Sequence, residues 1–170
     1  MSERCELCES PEEERLNAIS HGFGALLSVV GLVVMLDLAS SLSSWHITSV
    51  TVFGSSLILL YLASAVYHLV TTPRLKRLFQ ILDHALIFDL IAGSNTHWLL
   101  VNLRGPWGWS RFFVVWGIAL AGMVLKACFL PRFDKLGTAL YVIMGWLVCI
   151  AIKPLIENVG LVGISWRVAG

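Results

Sequence analysis

The stretch LDHALIFDLIAGSNTHWLL, residues 82–100, decides how the chain is read. It has the length of a helix that crosses the hydrocarbon core of a bilayer. Yet it carries Asp83, His84, Asp89 and His97 among leucines and isoleucines. Ionisable groups inside a membrane are costly and mark functional sites. Either these four build a site, or the segment does not span.

Composition favours the spanning reading. Of 170 residues, 57% are hydrophobic and 14% charged, and the mean hydropathy is +0.80. A soluble domain of this size needs more charge to cover its surface. A net charge of +1 gives no basis for a nucleic-acid partner, so the expected partners are membrane lipids. The cysteines do not form a disulfide framework. Cys128 and Cys149 lie in apolar runs, and Cys5 and Cys8 form a lone CELC. That pair is read as two reduced thiols rather than a metal or redox motif, since no second pair completes it.

Residues 1–17 form an acidic tail, with no cleavable signal peptide ahead of the first apolar run. Five apolar runs follow, near 18–39, 48–70, 81–103, 112–130 and 138–156. Backbone polar groups in lipid must be satisfied within the segment, so each run is predicted to be a helix. The expected fold is all-α, a polytopic transmembrane bundle in which residues 18–170 form one membrane domain. Arg4, Arg15, Arg74, Lys76, Arg77, Lys126, Arg132 and Lys135 fall at one end of it. The positive-inside rule makes that end, and the N-terminus, cytoplasmic. Trp45, Trp98, Trp107 and Trp109 suit an interfacial belt at the other end, where RGPWGWS (104–110) reads as a tight loop. Lys126 and Lys153 are expected to snorkel to their interfaces, and Asp37 to be wetted near the outer end of the first helix. Gly117, Gly122, Gly137 and Gly145 are expected to be close-packing positions. After IKPLIENVG, the piece LVGISWRVAG resembles the opening of a sixth helix but is too short to span.

Depth and spacing then group the polar residues. His21 begins the first run, His68 ends the second, and Asp83 and His84 begin the third, all toward the cytoplasmic side. Tyr61, Ser64 and His68 are three and four residues apart and share one helix face. A histidine with a serine one turn earlier suits a metal ligand with a supporting partner; the alternative is local hydrogen bonding that ties down a helix end. Glu14, Asn17 and His21 repeat the pattern if the first helix begins before residue 14. The alternative there is acidic capping of an N-terminus. Asp83 and His97 lie within ~40° around the helix but ~21 Å apart along it, so they cannot share a site. His84 points about 100° away from Asp83, so only one of the two faces the bundle axis squarely. Asp89, roughly two turns into the span, is protonated, water-bathed or paired with another helix.

Several of these motifs resemble the hemolysin III family of the progestin and adipoQ receptor superfamily. EERLNAISHGFG resembles its N-terminal signature, GSSLILLYLASAVYH its second helix and LDHALIFDLIAGSNT its third. LRGPWGWS and LYVIMGWLVCIAIKPL are similar to bacterial members. The resemblance implies seven helices, a cytoplasmic N-terminus and a zinc site near the cytoplasmic side of a bacterial inner membrane. It implies His68 as one zinc ligand, Asp83 as holder of the zinc-bound water and Ser64 as a neighbour. It also implies an HxxxH pair on the seventh helix, which these residues do not contain. AGSNTHW departs from the family ending, in which a tyrosine and a proline follow the small residues, and loss of that proline is expected to straighten the helix end. Asp89 also departs from the family, which is apolar there.

The resemblance thus implies a zinc-dependent hydrolase of lipid amides, linked to membrane lipid homeostasis. Asp83 and Ser64 are the candidate catalytic residues and His68 the metal ligand. Glu14, Asn17, His21 and His84 are candidate accessories. The alternative is a non-enzymatic cytolysin or regulator of membrane state. Taken as these 170 residues, with one of three histidine ligands, the chain is expected to be an inactive piece of such a protein.

Overall fold

The computed structural model describes residues 10–103, 105–129 and 134–147. Cys5, Cys8, Arg104, Arg132, Cys149, Lys153 and the 161–170 piece lie outside the described residues. Five α-helices follow in order: α1 (Pro11–Ser40), α2 (Ser44–Leu69), α3 (Pro73–His97), α4 (Pro106–Phe129) and α5 (Asp134–Trp146). A π-helical turn, Trp98–Asn102, extends α3. The chain is an all-α polytopic membrane bundle. α1, α2 and α4 are long and apolar enough to cross a bilayer by composition alone. α3, which carries the ionisable groups, is of comparable length, 25 residues, and packs along α2 and α4.

Helix starts lie earlier than the apolar runs suggest, and proline sets three of them. Pro11, Pro73 and Pro106 each occupy a first helical position, where the missing N–H costs nothing and φ is already helical. α1 therefore begins seven residues before its apolar run. At 30 residues it is ~45 Å long, so its first turns project beyond a ~30 Å hydrocarbon core. Ser10 caps it through a reciprocal pair of bonds with Glu13. In α3, Arg74, Lys76 and Arg77 are helical, not residues of a connection. RGPWGWS is likewise no loop: Gly105 turns the chain with φ +139°, and Trp107–Ser110 already lie in α4.

Consecutive helices run antiparallel, as their crossings show. Gly24 faces Tyr61 and Gly54 faces Leu32, which sets α1 on α2. Gly93 backs onto Ser56 and Phe53, and His97 reaches Ser49, which sets α2 on α3. Gly122 meets the Phe88 ring, and Gly137 meets the Lys126 side chain. Of the four glycines expected to pack closely, Gly122 and Gly137 do; Gly117 and Gly145 have open space beside them. Lys126 is buried against Gly137 rather than stretched out to an interface.

The apolar core joins α3 to α4 and α5. Phe88, Ala92, Leu99, Leu103, Val115, Ala119 and Met144 form it, with Trp98 packed against them rather than in a peripheral belt. Trp116 donates from Nε1 to Thr96 Oγ1 at 3.1 Å, and Tyr141 donates to the carbonyl of His84 at 2.7 Å. Buried serines close hydrogen bonds on their own helices: Ser28 to Gly24 O and Ser56 to Val52 O. A hydroxyl satisfied this way is tolerated in an apolar setting.

The two ends of the bundle differ. One holds Arg15, Arg74, Lys76, Arg77 and Lys126 and is called the basic end. The other holds Trp45, Trp107 and Trp109, with Trp45 edge-on to Trp109 at 5.7 Å between ring centroids. It is called the aromatic end.

Candidate functional site

The polar residues of α1, α2 and α3 converge at the basic end. Because α1 begins at Pro11, Glu14, Asn17 and His21 do share one helical face. That face meets the Tyr61–Ser64–His68 face of α2. His68 donates from Nδ1 to Glu14 Oε2 at 2.8 Å. The other oxygen of Glu14 accepts from Lys76 Nζ at 2.7 Å. The His21 ring lies parallel to that of His68, centroids 5.7 Å apart, and 5.9 Å from the ring of Tyr61. Tyr67 closes the group, with its ring 4.8 Å from His68 and 4.2 Å beneath the Lys76 ammonium.

The pole is largely dry. The side chains of His68 and Glu14 are 11% and 12% exposed, and that of Lys76 only 1%. Burying single charges is prohibitive, whereas a paired and fully bonded group is tolerated. A carboxylate only accepts hydrogen bonds, so the His68 proton sits on Nδ1. Nε2 then carries the lone pair, available for a proton or a metal ion. Metal-binding histidines show this arrangement, with the second ring nitrogen donating to a carboxylate.

The other expected site residues are placed less closely. Ser64 is buried one turn before His68. The Lys76–Tyr67 and Gly93–Ser56 crossings bracket Asp83, setting it level with the turn that holds Tyr61 and Ser64. Asp83 thus lies ~10 Å along the axis from Lys76, deeper than an apolar run beginning at 81 implied. The Nδ1 of His84 lies 3.9 Å from its carboxylate. His84 itself donates from Nδ1 to Gln80 O at 2.8 Å, so its proton position is also fixed. Among the described residues, no three His, Cys, Asp or Glu side chains are placed to hold one metal ion.

His97 belongs to the opposite end, as its distance from Asp83 requires. Its ring meets that of His46 at 5.7 Å, and Ser49 Oγ lies 2.9 Å from its Nδ1. The two rings line a crevice of about 180 Å³ with Met35, Leu38, Leu42 and Val50. Beyond His97 the helix does not straighten but widens into the π-helical turn. Asp89 is half-buried and sixteen residues into α3, about four turns rather than two. Among the described residues its carboxylate makes no hydrogen bond or ion pair.

A sequence profile described as "Haemolysin-III related" matches residues 10–170, nearly the whole chain. The chain belongs to the haemolysin-III-related family. "Hemolysin-3" of Bacillus cereus is 44% identical over 160 residues, covering 94% of this chain and 73% of that protein. The "Hemolysin-3 homolog" of Bacillus subtilis (strain 168) is 44% identical over 155 residues, 91% of this chain and 73% of that one. The human "Monocyte to macrophage differentiation factor" is 21% identical over 154 residues, 88% of this chain and 64% of that one. No solved structure matches the chain.

In this haemolysin-III-related chain, two residues of the pole escape sequence reasoning. Lys76 reads as a loop charge, and Tyr67 as one more apolar residue of α2. One signal was present: Pro73 marks a helix start, which places Lys76 on the first turn of α3, directly across from the end of α2.

Proposed function

We propose that this haemolysin-III-related protein is a zinc-dependent hydrolase of lipid amides, acting on bilayer lipids in membrane lipid homeostasis. Its basic end faces the cytoplasm of a bacterial inner membrane, in keeping with the positive-inside rule. The observation that carries the reading is the His68 Nδ1 to Glu14 Oε2 hydrogen bond of 2.8 Å in a nearly dry pole. It fixes the histidine in the form a metal ligand takes. The fit covers one ligand: His68 would hold zinc through its second ring nitrogen, and the five histidines here include no HxxxH pair. Zinc, when bound, supplies a water of lowered pKa and polarises a carbonyl.

The chain's own residues supply the rest. Glu14 keeps the Nδ1 proton in place, so the ring cannot exchange its two faces. Asp83 orients a water and takes its proton on a carboxylate oxygen. Ser64, buried one turn before His68, would offer its hydroxyl to that water.

A second reading rests on the name that the two Bacillus relatives carry: a cytolysin that permeabilises membranes without chemistry. One experiment weighs both. Full-length protein and its His68→Ala variant are assayed for bound zinc and for dye release from liposomes. Zinc in the wild type and its loss in the variant are expected. A wild type without zinc, or a variant with undiminished zinc, ends the metal reading. Dye release that survives in His68→Ala and Asp83→Asn supports the cytolysin.

A further inference from the structure

We infer that Asp89 anchors a helix–helix contact with the segment LVGISWRVAG (161–170), through an ion pair between its carboxylate and the guanidinium of Arg167. The inference is independent of the metal reading of His68. Its starting point is a half-buried carboxyl group sixteen residues into α3. Among the described residues that carboxylate makes no hydrogen bond or ion pair. Hydrocarbon offers such a group nothing, and charges inside membrane proteins pair with one another.

Around the depth of Asp89 the described helices are apolar. On α4 that depth falls at Gly122, which meets the Phe88 ring. On α5 it falls at Met144, in the core with Phe88 and Ala92. On α2 the Gly93 crossing falls at Phe53 and Ser56, so the turn level with Asp89 is Leu57–Leu60. Lys126, one turn along α4 from Gly122, lies against Gly137 of α5 instead. Arg77 is ~18 Å from Asp89 along α3, and Arg111 ~16 Å from Gly122 along α4.

The face that carries Asp89 is open. Leu75, Leu78, Leu82 and Asp89 follow at spacings of three, four and seven residues and form one stripe of α3. The leucines are 44%, 49% and 37% exposed. Lipid chains would cover leucines alone, but a stripe that ends in a carboxylate calls for a helix that brings a cation.

Arg167 has the sign and the place. It stands among apolar residues in the piece that resembles the opening of a sixth helix, so its own charge needs the same relief. α5 rises from the Gly137–Lys126 contact toward the aromatic end. The segment 161–170 follows the polar break ENVG (157–160), so a helix there descends from that end. Arg167 would then sit seven residues, ~10 Å, below the break. Asp89 is thirteen residues, ~20 Å, below Asn102 at the end of the π-helical turn. The long arginine side chain covers the difference, and its fork matches a carboxylate. Lys153 precedes the break and is expected at the interface.

The test is thermal unfolding of full-length protein in detergent, for Asp89→Leu, Arg167→Leu and the double variant. Breaking a buried pair from either side leaves the other charge stranded. Each single variant is therefore expected to lower the melting temperature by roughly 6–20 °C. The double variant replaces the pair by apolar residues and is expected within about 4 °C of wild type. Single variants that melt as wild type does, or losses that add in the double variant, would overturn the inference. Asp89→Leu combined with Lys153→Leu is expected to show no such recovery; recovery there would assign the partner to Lys153 and reject Arg167. Should the single variants fail to fold, folded yield by size-exclusion chromatography takes the place of the melt. The Asp89→Leu, Arg167→Leu double variant is then expected at wild-type yield, and its failure to fold would sink the idea.

Discussion

Ser10 illustrates how one hydroxyl can set the start of a 30-residue helix. It accepts from the backbone N–H of Glu13 at 3.3 Å, while the Glu13 carboxylate accepts from Ser10 N at 3.0 Å and from its hydroxyl at 2.7 Å. These bonds from Ser10, side chain first and then backbone, hold the Glu13 carboxyl below its ordinary value of 4.5. The folded pKa is lowered, so the contribution is complete above the unfolded value and lost as pH falls through the folded one. Ser10→Ala is expected to cost about 1 kcal/mol of helix stability, or roughly fivefold faster amide exchange near residues 13–15. Acidification below the folded pKa of Glu13 should narrow the gap between variant and wild type; a gap that widens would contradict the capping account. At this scale the sequence was informative about rows and silent about meetings. Spacing put Tyr61, Ser64 and His68 on one face and, given a helix start before residue 14, Glu14, Asn17 and His21 on another. That the two faces meet depends on how α1 packs on α2, which no local pattern encodes. Lys76 was lost because a charge beside an apolar run looks like a loop until the proline before it is weighed.

Among the elements, α3 is the one the bundle is built around. It packs on α2 through small residues such as Gly93 and on α4 through Phe88. Small residues let helix backbones approach where no water drives them together. Gly122→Ala would place a methyl group into the Phe88 ring, which is fully buried. Overpacking of this kind costs about 1–3 kcal/mol. Gly117→Ala, five residues earlier on α4, meets nothing within 4 Å and is expected to be neutral or to stabilise by up to ~1 kcal/mol. Thermal unfolding in detergent separates the two, and equal effects would mean that α4 does not pack as described. The existence and order of these helices were legible from apolar runs. Their starts were not, because hydropathy averages over a window while proline acts at a single residue. The π-helical turn after His97 has no sequence mark at all. It is closed by its own bond from Leu103 N to Trp98 O at 2.9 Å, and Gly108 packs close to the carbonyls of Leu99 and Leu103.

For the whole molecule, the separation of a basic end from an aromatic end is the feature with the widest reach. Charge at one end and tryptophan at the other set the orientation in the bilayer. In a cysteine-free background, Thr71→Cys in the α2–α3 connection is expected to be shielded from an impermeant thiol reagent in intact cells. Ser41→Cys after α1 is expected to react. The reverse pattern would turn the bundle over and move the histidine pole outside. The basic end also has a history in time. Glu14 finds His68 54 residues later in the chain and Lys76 62 residues later. At about 5–20 residues per second of synthesis, Glu14 waits roughly 3–12 s for its lysine. Until then α1 and α2 can pack with His68 on Glu14, but the lysine corner of the junction is missing. The three-helix junction is therefore complete only once the first turn of α3 has been made, and the order of the helices along the chain is the order in which its corners can close.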